Sequence, residues 1–438
     1  SLSLVFYIYN ILIMSIIHPN CDKTRKFITA HLTDDIRTLA LKASSNKDID
    51  LPFALNQISG WQKARTKLPS WAATEGLIYP PHLSMEQCSS ESTALYKARL
   101  VQRLMSSFSN SLPPQATSLI DLTGGFGVDF SFMARAFDKA VYVEQQEKLC
   151  LVAQNNFPLF GYEHTDIQIV NGDGISYLHQ TEAATIIFLD PARRDDCGGK
   201  TVFIADCTPD VLSVEAELLS KSQYLVLKLS PMLDWHKAVD DLNQLGNVVR
   251  EVHILSVKNE CKELLLVLQA EEKANFSNTE NSPLRLFCVN DDQLVSFPFR
   301  ASQTANIRVF IDDLVPDMYL YEPNASLMKA GCFGVITQQY PVSALAPNSH
   351  LFISTNEIAD FPGRSFQISA ISSMNKKELK RILADITQAN IAVRNFPLSV
   401  ADLRKRLKLR DGGTCYLFAT TLQNGEHTLL RCVKIGNK

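Results

Sequence analysis

Residues 118–137 read SLIDLTGGFGVDFSFMARAF: an apolar run ending in Asp121, three glycines within four positions, then apolar residues at helical spacing. Glycine takes positive φ without strain and lets another group approach the backbone, so Gly124, Gly125 and Gly127 mark a strand-to-helix turn beneath a bound ligand. A tight turn with close helix packing would also call for glycine. The sequence on either side separates the two readings.

From 117 to 270 the chain alternates strand-length apolar runs with helical stretches: TSLIDL, AVYVE, DIQIVNGD, ATIIFLD and YLVLKLSP. Strands buried on both faces need such runs, so the pattern predicts a parallel, doubly wound α/β sheet of Rossmann-like type. VREVHILSV and KELLLVLQA come next, with only KNEC between them. That gap is too short for a crossover helix and predicts a terminal antiparallel hairpin. Glu144 stands 23 residues after Asp121, at the end of the second run, where an acidic side chain reaches ribose hydroxyls.

With NGDG at 171–174 and LDPAR at 189–193 after the third and fourth runs, this ordered set resembles the class I S-adenosylmethionine-dependent methyltransferases. The resemblance implies that Asp121, Thr123, Gly124, Gly125 and Gly127 hold the methionine portion of S-adenosylmethionine, Glu144 its ribose, and Asp173 with Gly174 its adenine. DLTGGFGVD, DPARRD, LKLSPMLDW, NECKELL and LSMEQCSSESTALYKA together look like a bacterial methyltransferase group with a C-terminal THUMP-like domain. That likeness implies structured RNA, tRNA or rRNA, as substrate. Thr123 departs from the acid-x-Gly-x-Gly-x-Gly turn of small-molecule enzymes and is similar to turns of nucleic-acid methyltransferases.

In amino-methyltransferases acting on bases, an Asp/Asn-Pro-Pro-aromatic loop accepts hydrogen bonds from the amine and stacks on the ring. Asp190, Pro191 and Ala192 match its first part, and Arg193 stands where the aromatic would be. The planar guanidinium of Arg193 can stack, clamp a phosphate, or pair with Asp195 or Asp196. Cys197 and Cys207 lack the Pro-Cys or Ser-Cys-Asn-Pro contexts of the carbon-5 methyltransferase families, which favours nitrogen as the methyl acceptor. Lys228, inside an apolar strand, must meet a phosphate or a carboxylate such as Asp190. Gln87, Ser90, Thr93 and Lys97 either lie over the methionine carboxylate or cap a helix.

The whole chain has 438 residues, 46% hydrophobic and 20% charged, with a net charge of -3. This is the composition of a globular protein of two or three domains, and the total charge names no partner. Local charge does: Arg364 to Arg410 holds eleven Lys and Arg against three acids, a balance of +8. Lys376, Lys377, Arg404, Lys405 and Arg406 are the candidate RNA contacts, with solvated helix faces as the alternative. Ten cysteines without a CxxC argue against a disulfide framework or a zinc site and for reduced thiols in a cytoplasm.

The expected organisation is an extension at 1–13 ahead of Met14, an N-terminal helical module at 14–112, and a methyltransferase domain at 113–270. A linker at 271–283 and a C-terminal α+β THUMP-like domain at 284–438 complete it. The apolar start is at the short limit for a spanning helix, and we expect no membrane partner, with a weak interfacial anchor as the alternative reading of that segment. The leading reading is a methyltransferase acting on a base nitrogen in RNA. The rivals are a small-molecule or protein methyltransferase and a non-catalytic RNA-binding factor.

Overall fold

The computed structural model describes residues 21–43, 48–109, 116–193, 203–273 and 284–436. The expected extension at 1–13 and most of the expected linker lie outside the described residues. Contacts divide the chain into two compact units, residues 1–249 with 266–279 and residues 250–265 with 280–438.

The first unit opens with helices α1 (Cys21–Ala30), α2 (Ile36–Ala43), α3 (Leu51–Lys67), α4 (Pro69–Ala72), α5 (His82–Gln87) and α6 (Glu91–Ser109). Asp50 starts α3 by accepting the Phe53 N–H at 3.0 Å, with Pro52 in the first turn. These helices share a core with the glycine turn and the helix after it: Trp71, Met85, Ala94 and Ala98 are buried in one cluster with Phe126, Val128 and Phe132. The Trp71 ring meets that of Phe126 edge-on at 4.8 Å.

Five parallel strands form the sheet of this unit: β1 (Ser118–Asp121), β2 (Lys139–Glu144), β3 (Asp166–Asn171), β4 (Ala184–Leu189) and β5 (Ser222–Leu229). β1 pairs with β2 and β4, β2 with β3, and β4 with β5. The order β5-β4-β1-β2-β3 reverses between β1 and β4, which opens a crevice at their carboxyl ends. Every residue of β4 is buried, as the unbroken apolar run requires. Helices α7 (Val128–Met133), α8 (Glu147–Asn156), α9 (Gly174–Gln180), α10 (Val211–Ser220) and α11 (Trp235–Leu242) accompany the strands.

The second unit holds most of a ribbon made of β6 (Val249–Val257) and β7 (Glu260–Leu268). Its last residues, Leu266–Leu268, belong to the first unit. The connection is tighter than the expected KNEC gap: only Lys258 and Asn259 turn, both at positive φ, 51° and 61°. Their N–H groups are taken by the side chains of Asp291 and Asn290, which offsets the strain of a two-residue hairpin without glycine. Those acceptors sit at the tip of a second hairpin, β8 (Arg285–Asn290) and β9 (Gln293–Pro298), whose first strand runs parallel to β6.

The rest is a seven-stranded sheet of β10 (Tyr319–Pro323), β11 (Ser343–Ala344), β12 (Phe352–Ser354), β13 (Gly363–Ser373), β14 (Asn390–Arg394), β15 (Cys415–Thr421) and β16 (His427–Ile435). Its order is β11-β12-β10-β13-β16-β15-β14. Arg394 at the end of edge strand β14 nevertheless reaches the buried Glu322 of β10 at 2.5 Å, and Arg364 of β13 donates to the same carboxylate at 2.7 Å. The sheet therefore curls, and Leu320, Phe366, Phe418 and Leu430 share one buried apolar cluster. Short helices of this unit include α12 (Phe299–Thr304), α13 (Ala325–Ala330), α14 (Phe333–Gln339), α15 (Lys376–Ile382) and α16 (Val400–Leu407).

Candidate methyltransferase site

The three glycines answer to different constraints. A Cβ on Gly124 would sit 2.2 Å from the Tyr142 ring, and one on Gly127 would sit 2.7 Å from Phe157. Those two are packing requirements, with Gly127 also at φ 81°. Gly125 differs: at φ 54°, a Cβ there would meet nothing nearer than the Thr123 carbonyl at 3.8 Å. Its outer side is open, as a ligand cradle needs.

Glu144 ties the turn to the end of β2. One of its oxygens accepts the Gly125 N–H and the other the Gln146 N–H, both at 2.8 Å. Each carboxylate oxygen keeps a lone pair for a further donor such as a ribose hydroxyl. Asp173 is exposed and caps α9 by accepting the Ser176 N–H at 2.8 Å, while its other oxygen accepts from Gln145 at 2.8 Å. The Ser176 N–H is the main reason its carboxyl is held below the usual range. Gly174 serves packing, since a Cβ there would fall 2.1 Å from the Leu122 carbonyl.

Asp121 ends β1 fully buried and accepts the Thr123 N–H at 2.9 Å. Burial, reinforced by the nearby Asp129 and Asp190 charges and opposed by the Thr123 bond and Lys228, pushes its carboxyl up to about 8. Thr123, the departure from the glycine pattern, has a purpose in the fold: its hydroxyl accepts the backbone N–H of Asp190 at 2.7 Å. The turn after β1 and the DPAR loop after β4 are thereby linked.

Lys228 meets Asp190 at 2.5 Å, so of the partners its position allowed, the structure brings it to a carboxylate. It also lies 3.6 Å from Asp129, which pairs with the fully buried Lys97 at 3.2 Å and accepts from Ser89 at 2.7 Å. Burial alone would raise the Asp129 carboxyl. The Lys97 and Lys228 ammonium groups and the Ser89 hydroxyl outweigh it and hold that carboxyl below the ordinary range. Sequence reasoning missed Asp129 and Ser89. The signal was present: an acid inside the apolar run VDFSFM is costly unless paired.

Pro191 is buried and Ala192 exposed, and the backbone of Ala192–Arg193 pairs with Thr208–Cys207. The side chain of Arg193 lies outside the described residues, as do Arg194, Asp195, Asp196 and Cys197. Cys207 is buried, with its thiol inside the fold. Of the helix residues, Ser90 accepts the Thr93 N–H at 3.3 Å in α6.

In the second unit α15 and α16 rest on one core through Leu379, Ile382 and Leu403, which Leu409, two residues beyond α16, joins. Lys376, Lys377, Lys405 and Arg406 are exposed. Arg404 is tied inward, donating to the Ala389 carbonyl at 3.0 Å and to Asp411 at 2.6 Å. Among the described residues no group of His, Cys, Asp and Glu could hold a metal, and no helix is long and apolar enough to cross a membrane.

A sheet with this strand order, a glycine turn after the first strand and acids after the second, third and fourth defines a class I methyltransferase. A solved "putative methyltransferase" from Porphyromonas gingivalis W83 is 30% identical, covers 94% of this chain and 98% of its own, and superposes with a TM-score of 0.79. The chain belongs to that family, the S-adenosylmethionine-dependent methyltransferases with a C-terminal THUMP-like domain. A THUMP domain-like family matches residues 363–434, and a ferredoxin-like domain matches 319–362. A methyltransferase from Agrobacterium tumefaciens, 19% identical over 40% of this chain and 62% of its own, superposes at a TM-score of only 0.29. No curated relative matches the chain.

Proposed function

We propose that this enzyme methylates a nitrogen of a base in structured RNA, tRNA or rRNA, in the cytoplasm, with S-adenosylmethionine as donor. The observation that carries the reading is Asp190, whose backbone is held by Thr123 and whose carboxylate is held by Lys228 at the mouth of the β1/β4 crevice. Glu144, Asp173 and the open side of Gly125 would hold the donor, which supplies a methyl carbon activated by sulfonium. Asp190 would accept a hydrogen bond from the nitrogen N–H and orient that nitrogen toward the donor, and would take up the proton as the N–C bond forms and the donor's S–C bond breaks, its electron pair leaving with the thioether product S-adenosylhomocysteine. Lys228, 2.5 Å away, fixes the position of that carboxylate. The buried Cys207 supports nitrogen over carbon-5 as acceptor. The exposed Lys376, Lys377, Lys405 and Arg406, on helices of the THUMP-like segment, support RNA as the polyanion. Cys88, Cys150, Cys207, Cys261, Cys288, Cys332, Cys415 and Cys432 are free thiols, in keeping with a reducing compartment.

Mass spectrometry of nucleosides from tRNA and rRNA of a deletion strain tests the proposal. One methylated base should vanish and return with the wild-type gene but not with Asp190→Asn. An unchanged nucleoside profile would overturn RNA as substrate.

A further inference from the structure

Four charged side chains stand in alternating sign from the N-terminal helices to the DPAR loop. Lys97 of α6 pairs with Asp129 of α7 at 3.2 Å, Asp129 lies 3.6 Å from Lys228 of β5, and Lys228 meets Asp190 at 2.5 Å. Ser89 adds hydrogen bonds to both members of the first pair, donating to Asp129 at 2.7 Å and lying 3.2 Å from the Lys97 ammonium. Lys97 is fully buried, Asp129 and Ser89 nearly so. A buried ion pair contributes little to stability compared with an apolar pair of equal volume, so four charges in a row call for another reason.

That reason lies in sharing. Lys228 divides its charge between two carboxylates, Asp129 and Asp190. How much of it Asp190 receives depends on how far Asp129 is already neutralised by Lys97. We infer that Lys97 and Asp129 are positioning residues for methyl transfer, acting through Lys228 to set the charge and orientation of Asp190. The inference rests on the proposed role of Asp190 and extends the site into helices that precede the methyltransferase sheet. Among the described residues, Asp121 at the end of β1 is in the field of Asp190, Asp129 and Lys228, and Cys88 before α6 is in the field of Asp129, Lys228 and Lys67.

Opposite substitutions should have opposite effects. Asp129→Asn removes a negative neighbour and leaves Lys228 to Asp190, which favours the Asp190 carboxylate. Lys97→Met leaves Asp129 uncompensated, draws Lys228 toward it, and disfavours that carboxylate. The experiment labels the full-length protein with 13C-carboxyl aspartate, assigns Asp190 by its loss in Asp190→Asn, and tracks its titration by NMR. The midpoint should move down in Asp129→Asn and up in Lys97→Met, each by about one pH unit. With total RNA of the deletion strain and tritiated S-adenosylmethionine as probes, the acid limb of the rate profile should move the same two ways. Cofactor affinity should stay within about twofold, which a mere loss of folding would not allow. Lys97→Met/Asp129→Leu, an apolar pair expected to fold, should return the midpoint toward that of Asp129→Asn. Shifts of the same sign, or none, would overturn the inference. A fully active Asp190→Asn would instead overturn the role of Asp190 on which it rests.

Discussion

The hydroxyl of Thr123 accepts the backbone N–H of Asp190 at 2.7 Å, joining the turn after β1 to the loop after β4 across the switch point of the sheet. A glycine at position 123 could not make this bond. Thr123→Val keeps the shape and loses the acceptor, leaving the Asp190 N–H without it. We expect a stability loss of about 1–2 kcal/mol and a fall in methyl transfer that exceeds any loss of cofactor affinity. Thermal unfolding measures the first, and a methyl-transfer assay set beside isothermal titration of the cofactor measures the second; equal losses of transfer and affinity would show that the bond serves only the cofactor turn.

Gly124 and Gly125 should separate fold from binding. Gly124→Ala forces a methyl against the Tyr142 ring and should cost about 1–3 kcal/mol, read as a lowered Tm. Gly125→Ala meets open space, and its penalty is confined to positive φ. It should keep most of the stability while weakening S-adenosylmethionine binding, because the methyl projects toward the ligand side. A Gly125→Ala protein with unaltered affinity would place the cofactor elsewhere.

Glu144→Ala removes the acceptor of the Gly125 and Gln146 N–H groups together with the proposed ribose contact. Cofactor affinity should fall by roughly ten- to a hundredfold, about 1.5–3 kcal/mol. Glu144→Gln, which keeps an acceptor oxygen, should fall less. Titration calorimetry with S-adenosylhomocysteine gives both numbers without a substrate.

Asp121 carries a pH signature. Its carboxyl is pushed up to about 8 in the folded state from an ordinary value of 3.8, chiefly by burial. The folded protein therefore binds this proton where the unfolded chain does not, and stability falls with rising pH between those two values. The contribution is complete below about pH 4 and lost as pH passes about 8. Asp121→Asn, neutral throughout, should flatten the decline of Tm across that window. Parallel curves for mutant and parent would mean that the buried carboxyl is already ionised.

The basic helices give the substrate test. Lys376, Lys377, Lys405 and Arg406 to Glu should abolish RNA binding and leave cofactor affinity intact. Single changes to Ala should each flatten the slope of log affinity against log salt by about 0.7–0.9. Arg404→Ala should act differently, lowering Tm through loss of the Ala389 and Asp411 contacts. An unaltered salt slope in the quadruple mutant would reduce this face to solvated surface.

Much of this protein was legible in one dimension. Apolar runs of strand length, glycines after the first and acids after the next three reflect local demands: burial on both faces, positive φ, and polar groups at strand ends. The parallel order and the ribbon made by β6 and β7 needed nothing more than the lengths between runs. Long-range pairing was another matter. Nothing local distinguishes Gly124, held by Tyr142, from Gly125, open to a ligand, or shows that Arg404 turns inward while Lys405 does not. Asp129 is forty residues from Ser89 and thirty-two from Lys97, with Lys228 farther still, and only the packing of α6 against α7 and the arrival of β5 bring them together. A sequence displays each charge with its neighbours along the chain. Which charge neutralises which is a property of distance through a low-dielectric interior, and that distance exists only after the chain has folded.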